Sequence, residues 1–217
     1  MNAKPELPEE VKGAESPEKK KRRWLALALA VAMILAVWKF WLPYWGINAQ
    51  ALRQMPRLHQ GDYTQEVAVF SGQSKSVATS GCGAVCMAMA ISYLRHTQVS
   101  PQDLFAWAYD QGFYYGDGLG HEALTAMAEK YGLHSQWIDN DQLGQVRSAL
   151  EKGYPVVAHM GPGTFTKGGH YILLRGVEGE EVLVNDPQSE ALSQQPHSLE
   201  DIRRQLRREN CFMIVKP

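Results

Sequence analysis

A cysteine between two glycines is the first feature that could carry chemistry. Cys82 lies between Gly81 and Gly83 in "TSGCGAVCMAMA" (residues 79–90), where a polar loop meets an apolar run. The first turn of a helix offers free N–H groups and the positive end of the helix dipole, both of which favour a thiolate. Three interpretations are open here: a nucleophile at a helix start, one of a metal or disulfide pair with Cys86, or a small core residue.

A nucleophilic cysteine also needs a base and a group that orients this base. His170 follows Gly168 and Gly169 and begins an apolar stretch, and Asp186 ends a second stretch. The turn sequence EGE joins the two stretches, which is typical of a β-hairpin. Because residues near the open ends of a hairpin lie side by side, His170 and Asp186 are predicted to be neighbours. Each residue alone has an ordinary structural explanation, but together they favour a Cys–His–Asp site.

The helices and strands that must position these residues follow an order typical of an α+β fold. Most helical patterns precede most strand patterns, and no βαβ alternation is present. Helices are predicted at 83–94, 101–112, 121–132, 141–153 and 199–208 from apolar periodicity and capping residues. Strands are predicted at 65–70, 154–160, 170–177, 181–186 and 211–217.

The N-terminal part of the chain differs from the rest in composition. Residues 1–23 are rich in Pro, Glu and Lys and predict a disordered basic tail. Residues 24–45 form a run of 22 residues with one charge, Lys39, which is long enough to cross a bilayer as a helix. The sequence therefore predicts a lipid-bilayer anchor at 24–45, followed by a linker at 46–62 and a domain at 63–217.

The orientation of this anchor follows from its flanking charges. The cluster at 19–23 lies directly before the apolar run and predicts a cytoplasmic N-terminus with the domain outside the cell. A signal peptide cleaved near the sequence Ala-Gln-Ala at 49–51 is the alternative. The length of the run and its aromatic end favour an uncleaved, single-pass signal anchor in the cell membrane.

Charge and cysteine content exclude several classes of protein. The chain has 22 basic and 23 acidic residues, of which eight basic and five acidic ones lie in the first 45 positions. The remaining domain is mildly acidic, so a nucleic-acid partner is not expected. Three cysteines with no CxxC pair give neither a disulfide scaffold nor a cysteine framework for structural zinc.

Three motifs carry a resemblance to a known family. The stretches "SGCGAVCMAMAISYL", "GGHYILLRGV" and "VLVNDP" resemble the motifs of the papain-like cysteine peptidases of family thirty-nine, especially its stand-alone peptidase C-thirty-nine-like branch. The resemblance covers about residues 63–217. It implies a papain-like fold with Cys82 as nucleophile, His170 as general base and acid, and Asp186 orienting His170.

One departure from that family concerns the oxyanion hole. Bacteriocin-processing relatives place a glutamine about half a dozen residues before the cysteine, where this chain has Ser76 and, three residues earlier, Gln73. An oxyanion donor contributes about 100-fold or more in rate. Gln73, Ser76 and the backbone N–H of Cys82 are therefore the candidates, and weak activity is the remaining alternative.

The other candidate residues have structural interpretations. His159 is predicted to be a hydrogen-bonded core residue and Cys86 a packing residue. His121 is predicted to be a capping or surface residue, with a position lining the cleft as the alternative. Neither a metal nor a cofactor is expected, because no histidines stand at ligand spacing. Gly168 and Gly169 end a glycine-rich loop predicted to lie beside the substrate.

Three functions are consistent with this pattern. The resemblance favours an outward-facing, membrane-anchored cysteine peptidase that hydrolyses peptides or proteins. A cell-wall peptide amidase would use the same Cys–His chemistry, since one fold serves several functions. A papain-like binding module without turnover is the third alternative.

Overall fold

The computed structural model describes residues 17–34 and 55–217. The chain divides into two compact units, Met1–Pro43 and Tyr44–Pro217. In the first unit, residues 17–34 form helix α1, whose side chains are exposed.

The predicted transmembrane helix at 24–45 is not supported by the described residues, among which no helix is both long and apolar enough to cross a membrane. Its second half, 35–45, lies outside the described residues. Residues 17–23, predicted to be disordered, are helical; they are mostly Lys, Arg and Glu, which have good helix propensity. The first sixteen residues of the predicted tail lie outside the described residues.

The second unit has short helices and strands in mixed order. Its helices are α2 (Val77–Ser80), α3 (Cys82–Arg95), α4 (Pro101–Asp110), α5 (His121–Lys130), α6 (Leu143–Glu151), α7 (Glu190–Ser193) and α8 (Leu199–Arg204), with a 3-10 turn at Gln60–Asp62. Its strands are β1 (Glu66–Phe70), β2 (Gln73–Ser76), β3 (His134–Ile138), β4 (Val156–Met160), β5 (His170–Glu178), β6 (Glu181–Asn185), β7 (Pro196–Ser198) and β8 (Phe212–Lys216).

Six of these strands form one antiparallel sheet in the order β3-β8-β4-β5-β6-β7, and β1 and β2 form a separate hairpin. Alternate side chains of β5 point to opposite faces of the sheet. Leu173 lies in the core that α3, α4 and α5 cover, whereas Ile172 and Leu174 lie in the core that α6 and α8 cover. The sheet is therefore buried on both faces.

The sheet agrees with the predicted α+β class, and each predicted helix and strand from 65 onward has a counterpart at similar bounds. The short elements β2, β3, β7, α2 and α7 were not predicted. They have few strongly apolar residues, and pairing with distant strands defines several of them: β3, for example, pairs with β8, nearly 80 positions later.

The end of the predicted linker belongs to the domain. Met55 is buried in the core, and Gln60 in the 3-10 turn is only 2% exposed. The backbone N–H of Gln60 donates to the carbonyl of Pro187. The packed domain thus includes residues before 63; residues 46–54 of the linker lie outside the described residues.

Candidate active site

The hairpin of β5 and β6 brings His170 and Asp186 together, as the sequence predicts. Leu173 of β5 pairs with Asn185 of β6, so Asp186 follows the last paired residue and lies near the first residue of β5. Nε2 of His170 donates a hydrogen bond to Oδ1 of Asp186 at 2.7 Å, and both side chains are fully buried. A buried, carboxylate-bonded imidazole has a fixed tautomer and ring orientation.

The Asp186 carboxylate is held by the chain that follows it. The backbone N–H of Gln188 donates to Oδ1 of Asp186 at 2.8 Å. The backbone N–H of Asp186 donates to Oγ of Ser193, the last residue of α7, at 2.8 Å. These bonds fix the carboxylate and the backbone of Asp186 relative to α7 and the loop before it.

Cys82 is the first residue of α3, the helix that packs against β5. A Cβ on Gly81 would lie 2.6 Å from Cα of Val77, so a side chain at position 81 would collide with the backbone of α2. A Cβ on Gly83 would lie 3.1 Å from Leu124. The two glycines thus permit the tight turn from α2 into α3 that places Cys82 at a helix N-terminus.

His170 and Cys82 line the same cleft, and the two side chains interact. Its second ring nitrogen, Nδ1, is buried and has no hydrogen-bond partner of normal geometry in the described part of the chain. Cys82 nevertheless contributes to the protonation equilibrium of the ring. Burial alone would lower the pKa of His170, but hydrogen bonding and negative charge at Asp186 and Cys82 raise that pKa to about 9. Catalytic pairs are often loose before substrate binds.

A cleft of about 500 Å³ opens over this pair. It is lined by Cys82, Tyr115, Asp117, Gly118, Leu119, Gly120, Glu122, His159, Gly169, His170, Tyr171, Arg207 and Arg208. The lining thus includes two acidic side chains, Asp117 and Glu122, and two arginines. A larger cavity of about 890 Å³, near the C-terminal end of α3, is lined by none of the three predicted catalytic residues, all of which are described.

The predicted oxyanion residues lie in the β1–β2 region. Gln73 is exposed at the start of β2, and its Oε1 accepts a hydrogen bond from Lys75. Ser76 is buried before α2, and its backbone N–H donates to Oγ1 of Thr79. Neither side chain is among the described residues that line the cleft.

The two predicted loop glycines differ in their surroundings. Gly169 lines the cleft, and a Cβ there would lie 2.6 Å from a guanidinium nitrogen of Arg207. Gly168 is not one of the described lining residues, and a Cβ there would have no atom within 4 Å. Only the second glycine of the pair therefore lies against both the cleft and Arg207.

The other two cysteines are fully buried thiols. Cys86 packs one turn beyond Cys82, as predicted, and its Sγ donates to the carbonyl of Tyr171 at 3.4 Å. Burial raises the pKa of Cys86 well above its usual value, and nearby negative charge at Cys82 and Asp186 raises it further. Burial also raises the pKa of Cys211.

A pair of hydrogen-bonded histidines lies beside the cleft, and one of them, His159, lines it. Nε2 of His121 and Nδ1 of His159 are 3.0 Å apart and share a hydrogen bond. The His121 ring stacks on Trp137 at 3.7 Å between centroids, and the His159 ring stacks on Tyr171 at 4.2 Å. His159 is therefore hydrogen-bonded, as predicted, although it is half-buried and faces the cleft.

Both of these histidines have lowered pKa values. Burial and the positive charge of Arg208 lower the pKa of His121 to about 4, against a smaller opposing effect of Glu122. Burial, His121 and the arginines at 207 and 208 lower the pKa of His159 to about 3. Both rings are therefore neutral at physiological pH.

Gln60 is a site-supporting residue that the sequence patterns did not indicate. Its Nε2 donates to the carbonyl of Ala78 in α2 at 3.0 Å, and its Oε1 accepts from Nε2 of Gln188 at 3.4 Å. It thus links the turn before Cys82 to the loop after Asp186. In the sequence, Gln60 belongs to a polar segment that predicts a linker, so no sequence pattern indicates this role.

Comparisons with known proteins bear on the family and the fold of this chain. Residues 53–209 match the family model described as the Peptidase_C39 like family. The peptidase domain of Streptococcus ComA, a bi-functional ABC transporter involved in a quorum sensing pathway, is similar in structure: TM-score 0.51, 17% identity, covering 64% of this chain and 93% of that chain. A Bacillus anthracis protein described as a C39-like peptidase gives a TM-score of 0.52 and 16% identity, covering 76% of this chain and 94% of that chain. At these identities the two structures support the fold alone. The search of curated proteins finds no match.

Proposed function

Because the chain belongs to the Peptidase_C39 like family, we propose that it is a cysteine peptidase whose catalytic residues are Cys82, His170 and Asp186. The observation that carries the proposal is the fully buried His170–Asp186 hydrogen bond of 2.7 Å, in the same cleft as Cys82 at the start of α3. A cysteine, a base and a base-orienting carboxylate in this order are the requirements of thiol catalysis.

The proposed reaction uses these three groups in two steps. The Cys82 thiolate attacks the amide carbonyl carbon, the C–N bond breaks, and the proton on Nδ1 of His170 passes to the departing amine. The acyl group remains on Sγ as a thioester. A water then gives a proton to Nδ1 and adds to the thioester carbonyl, the C–S bond breaks, and the acid and the thiolate are released. Asp186 keeps His170 in the orientation that both transfers need.

For the oxyanion, the N-terminus of α3 is the proposed donor. The first N–H groups of a helix have no acceptor within that helix, and the N–H of Cys82 is one of them. A backbone donor also explains how the site could operate with Gln73 exposed and Ser76 before α2. One such donor contributes about 2.7–4 kcal/mol to transition-state binding.

Hydrolysis of a peptide library by the full chain tests the proposal. We expect cleavage by the unmodified chain, none by Cys82→Ala, and retained cleavage by Cys86→Ala, which removes a buried thiol one turn away. Folding of each variant is checked by circular dichroism. A Cys82→Ala chain that cleaves as fast as its parent would overturn the proposed nucleophile.

Alkylation tests the thiol–imidazole pair without a substrate. With iodoacetamide near neutral pH, we expect Cys82 to react at least about 10-fold faster than the buried Cys86 and Cys211. His170→Ala should remove most of that advantage. Equal rates at the three thiols, or an unchanged rate in His170→Ala, would favour a binding module without turnover.

Substrate class and location rest on the sequence and need separate experiments. Release of new amino termini from purified peptidoglycan but not from peptides would identify a cell-wall amidase instead. For the anchor proposed at 24–45, protease added outside intact cells should degrade the domain and spare a tag at the N-terminus. A protected domain would contradict the proposed orientation.

A further inference from the structure

We propose that His121, His159 and Cys211 form a binding site for a borderline divalent transition-metal ion, for which Zn²⁺ is the best match, beside the catalytic cleft. One ligand atom from each of the three residues lies within 4.8 Å of the other two. Two imidazoles and one thiolate are ligands that Zn²⁺ accepts in proteins. The inference goes beyond the proposed peptidase function and does not depend on it.

The two histidine nitrogens are already close to the required separation. With Zn–N distances of about 2.0–2.1 Å and tetrahedral angles, two ring nitrogens are about 3.3 Å apart. Nε2 of His121 and Nδ1 of His159 are 3.0 Å apart. A small movement apart would make room for the ion between them. Sγ of Cys211 is at most 4.8 Å from either nitrogen. The equivalent N–S separation at a zinc ion is about 3.6 Å, so Sγ must move by about 1.2 Å at most.

The three ligands are held by different elements that meet at this point. His121 is the first residue of α5, His159 lies in β4, and Cys211 comes directly before β8. The backbone N–H of His159 donates to the carbonyl of Cys211 at 3.0 Å, which fixes these two residues relative to each other. The stacking of His121 on Trp137 and of His159 on Tyr171 restricts both rings. Metal sites need such preorganisation of their ligands.

Protonation at the cluster favours a cation in one respect and opposes it in another. Both imidazoles are neutral, as ligation requires. The thiol must lose its proton, which a bound divalent ion promotes, and the imidazole that donates the shared hydrogen bond must move its proton to its other nitrogen. Binding should therefore release one proton per ion.

The charged groups that face the cluster include both signs. Arg207, Arg208 and His170 are positive and weaken the attraction for a cation, whereas Glu122 is negative and strengthens it. The thiolate contributes a further negative charge once the ion binds. Since His159 lines the cleft, the fourth position of a tetrahedral ion would face the cleft and hold water or a substrate group.

The site was not expected from the sequence because its ligands are 38 and 52 positions apart, in patterns typical of a helix start, a buried strand and a core thiol. Sequence searches for zinc sites use closely spaced ligand pairs. Only the sheet brings β4 beside the chain that precedes β8.

The test uses the full chain carrying Cys82→Ser, because the catalytic thiol and His170 could themselves hold zinc. Co²⁺, which reports thiolate ligation by a near-ultraviolet charge-transfer band, is titrated into this chain. We expect one Co²⁺ per chain, a charge-transfer band, and displacement of the Co²⁺ by Zn²⁺. No band in this background would overturn the proposal.

Ligand variants in the same background identify the site. Cys211→Ser should abolish the band, and His159→Gln should weaken Co²⁺ binding by more than the 10- to 100-fold that loss of an outer-shell partner typically costs. His134→Gln, at an exposed histidine, is the matched control and should bind as its parent does. If Cys211→Ser does not fold, His121→Gln is measured in its place. Like His159→Gln, it should weaken Co²⁺ binding by more than about 10- to 100-fold. A band that persists without Cys211, or equal binding by the His159 and His134 variants, would overturn the proposal.

Discussion

Two hydrogen-bonded histidines, His159 and His170, line one cleft of this protein, and their pKa values are shifted in opposite directions. His170 is hydrogen-bonded to the buried carboxylate of Asp186, and its pKa is about 9. His159, which lies on the neighbouring strand opposite Tyr171, is hydrogen-bonded to His121, and its pKa is about 3. Burial lowers the pKa of both rings, so the difference comes from the partner.

This difference separates the chemistry available to each pair. A buried imidazole with a carboxylate partner carries a proton that it can give to a leaving group. A buried imidazole with another imidazole and two arginines nearby stays neutral, and its lone pair remains available to a metal ion. His159 of β4 lies opposite Tyr171, the residue that follows His170 in β5. The two histidines are therefore neighbours, but His170 is suited to proton transfer and His159 to metal ligation.

The largest expected effect is that of Asp186→Asn, which keeps a hydrogen-bonding side chain but removes the negative charge. The pKa of His170 should fall from about 9 towards its ordinary value, as measured by NMR titration of the ring. Peptide hydrolysis should fall by about 100-fold or more. Asp103→Asn in α4, an exposed aspartate, is the control. An unchanged His170 pKa would mean that Asp186 does not cause the difference between the pKa values of His170 and His159.

The same pair makes stability depend on pH. The folded-state pKa of His170 is raised from 6.5 to about 9, so its contribution is fully present below pH 6.5 and is lost as the pH rises through 9. The shift corresponds to about 3 kcal/mol at most. The difference in unfolding free energy between the parent and Asp186→Asn, from urea titrations, should shrink across that window; a constant difference would contradict this linkage.

The support given by Gln60 can be removed separately. Gln60→Ala leaves the Ala78 carbonyl without its side-chain donor and removes the link to Gln188, which should cost about 1–3 kcal/mol in unfolding free energy. Gln102→Ala, which removes an exposed hydrogen bond to Gln65, should cost less than about 0.5 kcal/mol. If urea titrations give similar losses of unfolding free energy for the two variants, Gln60 does not stabilise the link between α2 and the loop after Asp186.

The neutral histidine pair should give the opposite pH dependence. Its folded-state pKa values are lowered below 6.5, so its contribution to stability is present above pH 6.5 and is lost as the pH falls towards 4. Discounted for solvent screening, we expect about 1 kcal/mol or less. In chelator-containing buffer, His159→Gln should flatten the loss of stability between pH 6.5 and 4, whereas His134→Gln should leave the slope unchanged. An equal slope in the parent and both variants would mean that the pair is not linked to folding.

The smallest effect concerns Arg207, which lines the cleft beside Gly169. In Gly169→Ala the new methyl group would displace the Arg207 guanidinium, which it would otherwise approach to 2.6 Å. Because Arg207 helps to lower the pKa of His159, that pKa should rise by a fraction of a unit in an NMR titration. Gly168→Ala, with open space at its Cβ, should leave it unchanged. A shift of the same size in both variants would exclude Arg207 as its cause.

Local patterns were sufficient where the contact is formed by neighbouring chain segments. The position of Cys82 at a helix start depends on helix capping and the flanking glycines. The hairpin that joins His170 to Asp186 depends on turn chemistry and strand alternation. All of these patterns are readable in the sequence. The α+β class followed from the same patterns. In contrast, the polar strand β2 and the half-exposed strand β3 lack the alternation that identifies strands, and β3 exists through its pairing with the distant strand β8.

The functional roles outside the three predicted residues were decided by tertiary contacts. Gln60 gains its role from Ala78 and Gln188, 18 and 128 positions away. Ser76 lies at the spacing from Cys82 that the resemblance predicts for an oxyanion residue, and Gln73 lies three residues earlier. Only the folded chain shows that the β1–β2 hairpin holds Gln73 on the surface, outside the described residues that line the cleft.

The sequence alone determined the order and local conformation of the chemical groups: a cysteine at a helix N-terminus, and a histidine and an aspartate at the open end of one hairpin. The tertiary structure alone decided their electrostatic partners. A carboxylate lies beside His170, and an imidazole and two arginines lie near His159. The physical reason is that helix caps and hairpins depend on interactions between residues close in the chain. The pKa of a buried ring depends on every charge within several ångströms, wherever in the chain that charge originates.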